Sequence, residues 1–308
     1  MLRASAAAEA AGVPSSSLVC DGFLGQGATT AVGLGLPNLP MAKVPGHVDT
    51  QTDNELRDNL TSVTVNAVIE NLTAAQPAAV MIPEPGPQDV VMEGSFDEIN
   101  RFFYENGWSD GLPIVPPTRA KIESFLAFTD LPTEHVIGKL LPDNREATVW
   151  NVAVNGVMAG CQPDHLPVLV AATKALGQSA LNLKALNTTT HPCTVLALIS
   201  GPITEAIDVN TTYNVMGQGS LANAAIGRGI RSILLNIGGG TPGILDRATM
   251  GTPAKYSFCF GENLAENPWG ETLAMERGFG AEQSTVTLCG VEGPHNVNDH
   301  YGKTAEEI

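Results

Sequence analysis

Ser16-Ser17-Leu18-Val19-Cys20 and Met41-Ala42-Lys43-Val44, separated by a Gly-rich stretch over 22–35 and the turn Leu36-Pro37-Asn38, decide the fold class. Each is a short apolar run bounded by turn residues, which reads as a buried strand. Upstream, residues 2–11 are Ala-rich and helix-favouring, stopped by Gly12 with Pro14 just beyond. The stretch 22–35 reads as a second helix. Downstream, Thr52 and Glu55 have capping-box spacing, followed by Leu56, Leu60, Val63 and Ala67 at helical intervals. This alternation is the pattern of a parallel α/β sheet. Two parallel strands leave edges and faces uncovered. Residues 1–75 are therefore expected to form an incomplete parallel α/β half-domain, completed by a partner chain or packed on the rest of this one.

Composition favours the partner. Only 16% of the residues are charged, against a usual quarter, so part of the surface is expected to be buried against other chains in an oligomer. The net charge of −16 offers no basic footprint for nucleic acid and disfavours anionic membrane surfaces. No apolar run is long enough to span a membrane, and the first residues lack the apolar centre of a signal peptide. Five cysteines (Cys20, Cys161, Cys193, Cys259, Cys289), an odd number without a C-x-x-C pair, indicate a reducing cytoplasm.

Residues 76–94, with Pro77, Pro83, Pro85 and Pro87, read as a semi-extended linker. Residues 95–308 read as a larger α/β or α+β domain that carries the site. It opens on a Ser95–Glu98 capping box, with helices over 118–128, 149–159, 166–180 and 221–235 and strands over 194–199, 205–209, 256–260 and 285–289.

Four polar clusters stand out. Gly107-Trp108-Ser109-Asp110-Gly111 is a loop stiffened by Pro113, Pro116 and Pro117, fit either to hold Trp108, Ser109 and Asp110 in one geometry or to form an Asx turn. Thr190-His191-Pro192-Cys193 precedes an apolar strand. His191 is placed to act as a base or to activate Cys193, and a buried cysteine beside a satisfied histidine fits equally. Glu262 and Asn263 follow a strand, Glu262 as an acid or base or as the cap of the next turn, and Asn263 as a substrate-binding residue. Finally, Glu292-Gly293-Pro294-His295-Asn296-Val297-Asn298-Asp299-His300 is the densest polar run. Its histidines match no zinc-helix spacing, so proton transfer by His295 and His300, with Asn296 and Asn298 binding substrate, is preferred to metal binding, and a plain C-terminal surface loop is the alternative to any functional role. Cys20, Cys161 and Cys289 read as packing residues. Gly25-Gln26-Gly27 and Gly33-Leu34-Gly35 lack the full dinucleotide fingerprint and read as close-packing and turn glycines, and no Walker A sequence occurs, so no motif indicates a phosphate-ester cofactor and the cofactor stays open.

The order of elements over 2–22, followed by Leu34-Gly35-Leu36-Pro37-Asn38-Leu39-Pro40, resembles the second half of the UGSC-type (seleno)protein domain. That domain is in turn similar to the B component of glycine and proline reductases. The region 106–301 resembles the partner region found with such domains, through residues 106–117, 148–161, 190–202, 222–240, 256–269 and 290–300. In this alignment the Sec/Cys-Gly-Ser-Cys motif precedes Leu2. The resemblance therefore implies a subunit of a soluble enzyme acting on a small molecule by thiol- or selenol-linked reductive or eliminating chemistry, with the redox pair on a short partner chain. The alternatives are a self-sufficient or metal-assisted hydro-lyase or hydrolase, and a non-catalytic scaffold subunit. Because sites of α/β proteins gather at strand ends, Asp110, His191, Glu262, His295 and His300 are expected to line one pocket.

Overall fold

A computed structural model describes residues 2–34, 36–73, 86, 88–296, 298–304 and 306–307. The chain divides into two compact units, Met1–Asp89 and Val90–Ile308. Most of the stretch read as a Pro-rich linker lies outside the described residues.

The first unit runs α1 (Leu2–Ala10), β1 (Ser17–Cys20), α2 (Leu24–Gly33), β2 (Met41–Val44), α3 (Asp53–Asn59) and α4 (Val65–Thr73). The two strands pair in parallel, from Ser17 opposite Met41 to Cys20 opposite Val44. Ala42 and Val44 turn inward while Lys43 turns out to Asp21 at 2.8 Å, the alternation a one-sided sheet imposes. Ala6, Ala31, Leu36 and Leu39 form a small core beside them. Among the described residues no third strand joins this sheet. The Thr52–Glu55 capping box is formed. The helix it starts is not continuous: a π-helical turn, Leu60–Thr64, separates α3 from α4. Within that turn buried Thr64 donates its hydroxyl to the Lys43 carbonyl at 2.8 Å, a bond to β2 that sets the helix phase locally.

The second unit runs α5 (Phe96–Glu105), α6 (Arg119–Leu126), β3 (Val136–Leu140), β4 (Arg145–Thr148), α7 (Val149–Ala159), α8 (Leu166–Leu176), α9 (Leu183–Thr188), β5 (Thr194–Ser200), α10 (Ile203–Ala206), α11 (Leu221–Asn236), β6 (Cys259–Gly261), α12 (Leu273–Glu276) and β7 (Thr285–Val291). Its main sheet has the order β6-β5-β7. The central β5 is parallel to β6 and antiparallel to β7. Helices α7, α8 and α11 pack on one another, α8 also on β7 and α11 on β5 and β6. Their shared core includes Val152, Leu166, Leu169, Ala197, Ile199, Ile226 and Ile233. Gly227 lets α11 approach β6 closely: a Cβ there would lie 2.8 Å from the Phe258 amide nitrogen.

Three expectations are corrected. Residues 205–209 are not a strand, because α10 occupies Ile203–Ala206 and Asp208 turns left-handed at φ 55. The helix over 166–180 stops at Leu176, ahead of Gly177. The strand over 256–260 shrinks to Cys259–Gly261, because a 3-10 turn over Pro253–Lys255 occupies its approach. The antiparallel β3–β4 hairpin is an element the sequence reading lacks.

Candidate functional site

Strand direction sorts the polar clusters. Because β7 runs against β5, Val291 pairs with Thr194 and Thr285 with Ser200. The segment leaving β7 therefore meets the segment entering β5, which brings Glu292 to His191 and Cys193. His191 Nδ1 lies 2.9 Å from Glu292 Oε1, with the two side chains 67% and 50% exposed. A ring nitrogen of His191, Sγ of Cys193 and a carboxylate oxygen of Glu292 all lie within 4.8 Å of one another. Thr189 Oγ1 accepts from the His191 amide at 3.1 Å, holding the approach to the strand. The cluster offers one thiol, one imidazole and one carboxylate at an open surface, a set suited to nucleophilic chemistry or to a metal.

A second group is cationic. Buried Asp246 accepts from Arg231 Nη2 at 2.7 Å and from Lys255 Nζ at 2.7 and 2.8 Å. Burial pushes its carboxyl up, but the bonds from Lys255 and the Ala248 amide, with the charge of Arg231, outweigh this and leave it below the ordinary carboxylate value. Arg231 and Lys255 line a water-sized hollow together with Thr194, Val195 and Phe258. The hollow and the cluster adjoin along the chain, since Cys193 precedes Thr194. The loop beyond them is tied to the same end of β5, with the Thr249 amide donating to the Thr190 carbonyl at 2.9 Å.

Not all the expected residues meet here. Glu262 follows β6, which runs parallel to β5, and so lies at the opposite end of β5. Its Oε2 accepts from Ser200 Oγ at 2.5 Å and its Oε1 from the Leu273 amide at 3.0 Å. At roughly 3.3 Å rise per residue, β5 separates it from His191 by about 20 Å, so the single pocket does not form. Asn263 donates to Glu266 at 2.8 Å in the same turn. Asp110 is likewise occupied: Arg228 grips it with two bonds, Nε to Oδ2 at 2.8 Å and Nη2 to Oδ1 at 2.9 Å. It also accepts from the Leu112 amide at 3.1 Å, the Asx turn among the two readings. Trp108 packs edge-on against Phe102 and Phe103, and Ser109 Oγ donates to the Leu112 carbonyl. His295, Asn296, Asn298 and His300 are exposed on the segment after Glu292. Within it Asp299 accepts from the Gly302 and Tyr301 amides, which hold its carboxyl below the usual value.

Sequence reasoning quoted Glu292 but gave it no role, and it missed Arg231, Asp246 and Lys255. One signal existed: Arg231 falls among Gly227, Ile230 and Leu234, so it is a charge on the buried face of α11. Of the cysteines, Cys161 and Cys259 are buried and their thiols are pushed up by desolvation, that of Cys259 to about 12. Cys289, expected to pack, is exposed near the end of β7, where the half-buried run Thr285–Leu288 gives way to exposed residues.

No helix among the described residues is long and apolar enough to cross a membrane. No curated protein and no solved structure matches the chain. The UGSC family model matches residues 1–74, so that segment is similar to the UGSC family.

Proposed function

We propose that the protein is a subunit of an enzyme that transforms a small molecule through thiol chemistry at the entrance of β5. Cys193 is the nucleophile, His191 takes its proton, and Glu292 orients the imidazole and balances its charge. The observation that carries this reading is the convergence of the three groups within 4.8 Å, with Glu292 on His191 Nδ1 at 2.9 Å.

In the reductive form, the Cys193 thiolate displaces a leaving group X⁻ from a substrate R–X, giving a thioether-like Cys193–S–R. A thiolate or selenolate of a partner pair then attacks that sulfur, and R leaves with a proton as R–H. The second thiol of the pair resolves the mixed disulfide, returning Cys193 as thiolate and leaving the partner oxidised. Two electrons pass from the pair to the substrate. A partner carrying a Cys/Sec-Gly-Ser-Cys motif suits this role, and the match of residues 1–74 to the UGSC family, together with a sheet that among the described residues has only two strands, supports such an assembly. The eliminating form needs no electrons: His191 takes a proton as the leaving group departs from the adjacent carbon. His295 and His300, on the segment continuing from Glu292, are the groups available for further proton transfer.

A second reading rests on the same donors. Sulfur, nitrogen and oxygen from three side chains would hold zinc with a fourth position open for water, giving metal-assisted hydrolysis or hydration. Alkylation of the full chain with iodoacetamide, read cysteine by cysteine by mass spectrometry, separates the two. Cys193 is expected to react faster than Cys20 and Cys289 at neutral pH, and His191→Gln to slow it at least about tenfold. Stoichiometric zinc that shields Cys193 until a chelator removes it would replace the thiol reading by the metal one.

A further inference from the structure

Arg231, Lys255 and Asp246 make an unbalanced group: two cations share one carboxylate, so one positive charge remains in a chain whose net charge is −16. The group is well shielded, with side-chain exposures of 13% for Arg231, 14% for Lys255 and 7% for Asp246. A bridge that served only to tie α11 to the loop after it needs one cation; a second, desolvated without a counter-charge of its own, is unfavourable unless an anion completes the set. Donor capacity also remains. Among the described residues Arg231 donates through Nη2 alone, to Asp246 and to the Gly240 carbonyl, leaving Nε and Nη1. Both cations line the hollow that Thr194 and Val195 also line. Val195 is two residues from Cys193, so their Cα atoms lie no more than about 7.6 Å apart. That spacing fits a small molecule with one carboxylate oxygen in the hollow, which has room for about one water, and a reactive carbon at the thiol. The single surplus charge matches a monoanion rather than a dianionic phosphate ester.

We propose that Arg231 and Lys255 form the binding subsite for the carboxylate of a small organic acid, the substrate class of the thiol site. This rests on the thiol reading above for its chemistry, though not for the binding itself.

Two alkylating reagents of nearly equal size test it on the full chain: iodoacetate, which carries a carboxylate, and iodoacetamide, which does not. The iodoacetate-to-iodoacetamide rate ratio at Cys193 is expected to exceed that at exposed Cys289 by about tenfold or more, and to fall to the Cys289 level in Lys255→Met. Propionate is expected to slow the iodoacetate reaction more than sodium chloride at equal ionic strength, which controls for screening. Equal ratios at Cys193 and Cys289 would overturn the subsite while leaving a fast iodoacetamide reaction, and with it the thiol reading, intact. If Cys193 is slow with both reagents, the thiol reading fails and the subsite is decided by melting instead. Propionate must then raise Tm relative to chloride in the unaltered chain and not in Lys255→Met or Arg231→Lys, and identical melting in both salts rejects it.

Discussion

The two ends of β5 carry similar residue types and treat them differently. At the carboxyl end, Glu262 is consumed: it accepts from the Ser200 hydroxyl and from the first amide of α12. At the amino end, Glu292 faces His191 and Cys193 at an open surface, and the hollow lined by Arg231 and Lys255 begins at the next residue, Thr194. The difference comes from strand direction. Parallel β6 delivers its following loop to the carboxyl end of β5, and antiparallel β7 delivers its own to the amino end. A rule that places sites at the carboxyl ends of strands assumes one direction for all of them, and here the antiparallel strand moves one cluster across the sheet. Asp110 belongs with Glu262, a carboxylate engaged by its neighbours rather than free for chemistry.

That contrast can be broken at several points. The largest expected effect is from Arg228→Met, which leaves Asp110 largely buried and uncompensated: a loss of about 3–5 kcal/mol, seen as a drop of roughly 10 °C in Tm. A loss below about 1 kcal/mol would mean that Asp110 does not depend on its partner. Next, Glu262→Ala is expected to cost about 1–3 kcal/mol through two unmet donors, while the iodoacetamide rate at Cys193 stays within about twofold. A collapse of that rate would put Glu262 back in the same site. Glu292→Gln should do the reverse, slowing Cys193 by about tenfold, or about 1.4 kcal/mol of barrier, with Tm nearly unchanged because the pair is exposed.

The smallest effect is a pH slope. Burial holds the His165 imidazole below its ordinary value of 6.5, against the nearby Asp164 charge. The unfolded chain thus binds the proton more readily than the folded one. This contribution to stability is complete above pH 6.5 and declines as pH falls from there towards the lowered folded value. His165→Gln should flatten that part of the Tm–pH curve, and an unchanged slope would show that another group sets it.

What could be read from the sequence was local. The Thr52–Glu55 and Ser95–Glu98 capping boxes, and helices α7 and α11, follow from spacing within a few residues, and the structure contains them. Both strands of the first unit were legible because each is a short apolar run between breakers. The β3–β4 hairpin was not: Gly138 and Lys139 interrupt one strand, and Arg145-Glu146-Ala147-Thr148 has no apolar alternation to mark the other. The site was half legible for the same reason. His191 and Cys193 stand two apart and announce themselves, whereas their meeting with Glu292 depends on the direction of a strand pairing. Nothing in either segment states that direction. Arg231, an isolated charge among apolar neighbours, was the one non-local partner with a visible trace.

The antiparallel union of β5 with β7 also sets a schedule. A ribosome delivers Cys193 and His191 well before β7 and the Glu292 that follows it, and β5 must wait for that late segment to fill one of its edges. Until then the nascent chain holds a thiol and an imidazole without the carboxylate that meets them in the folded protein. A product terminated before β7 would expose one edge of β5 and lack Glu292 beside the thiol and the imidazole, leaving the proposed centre incomplete.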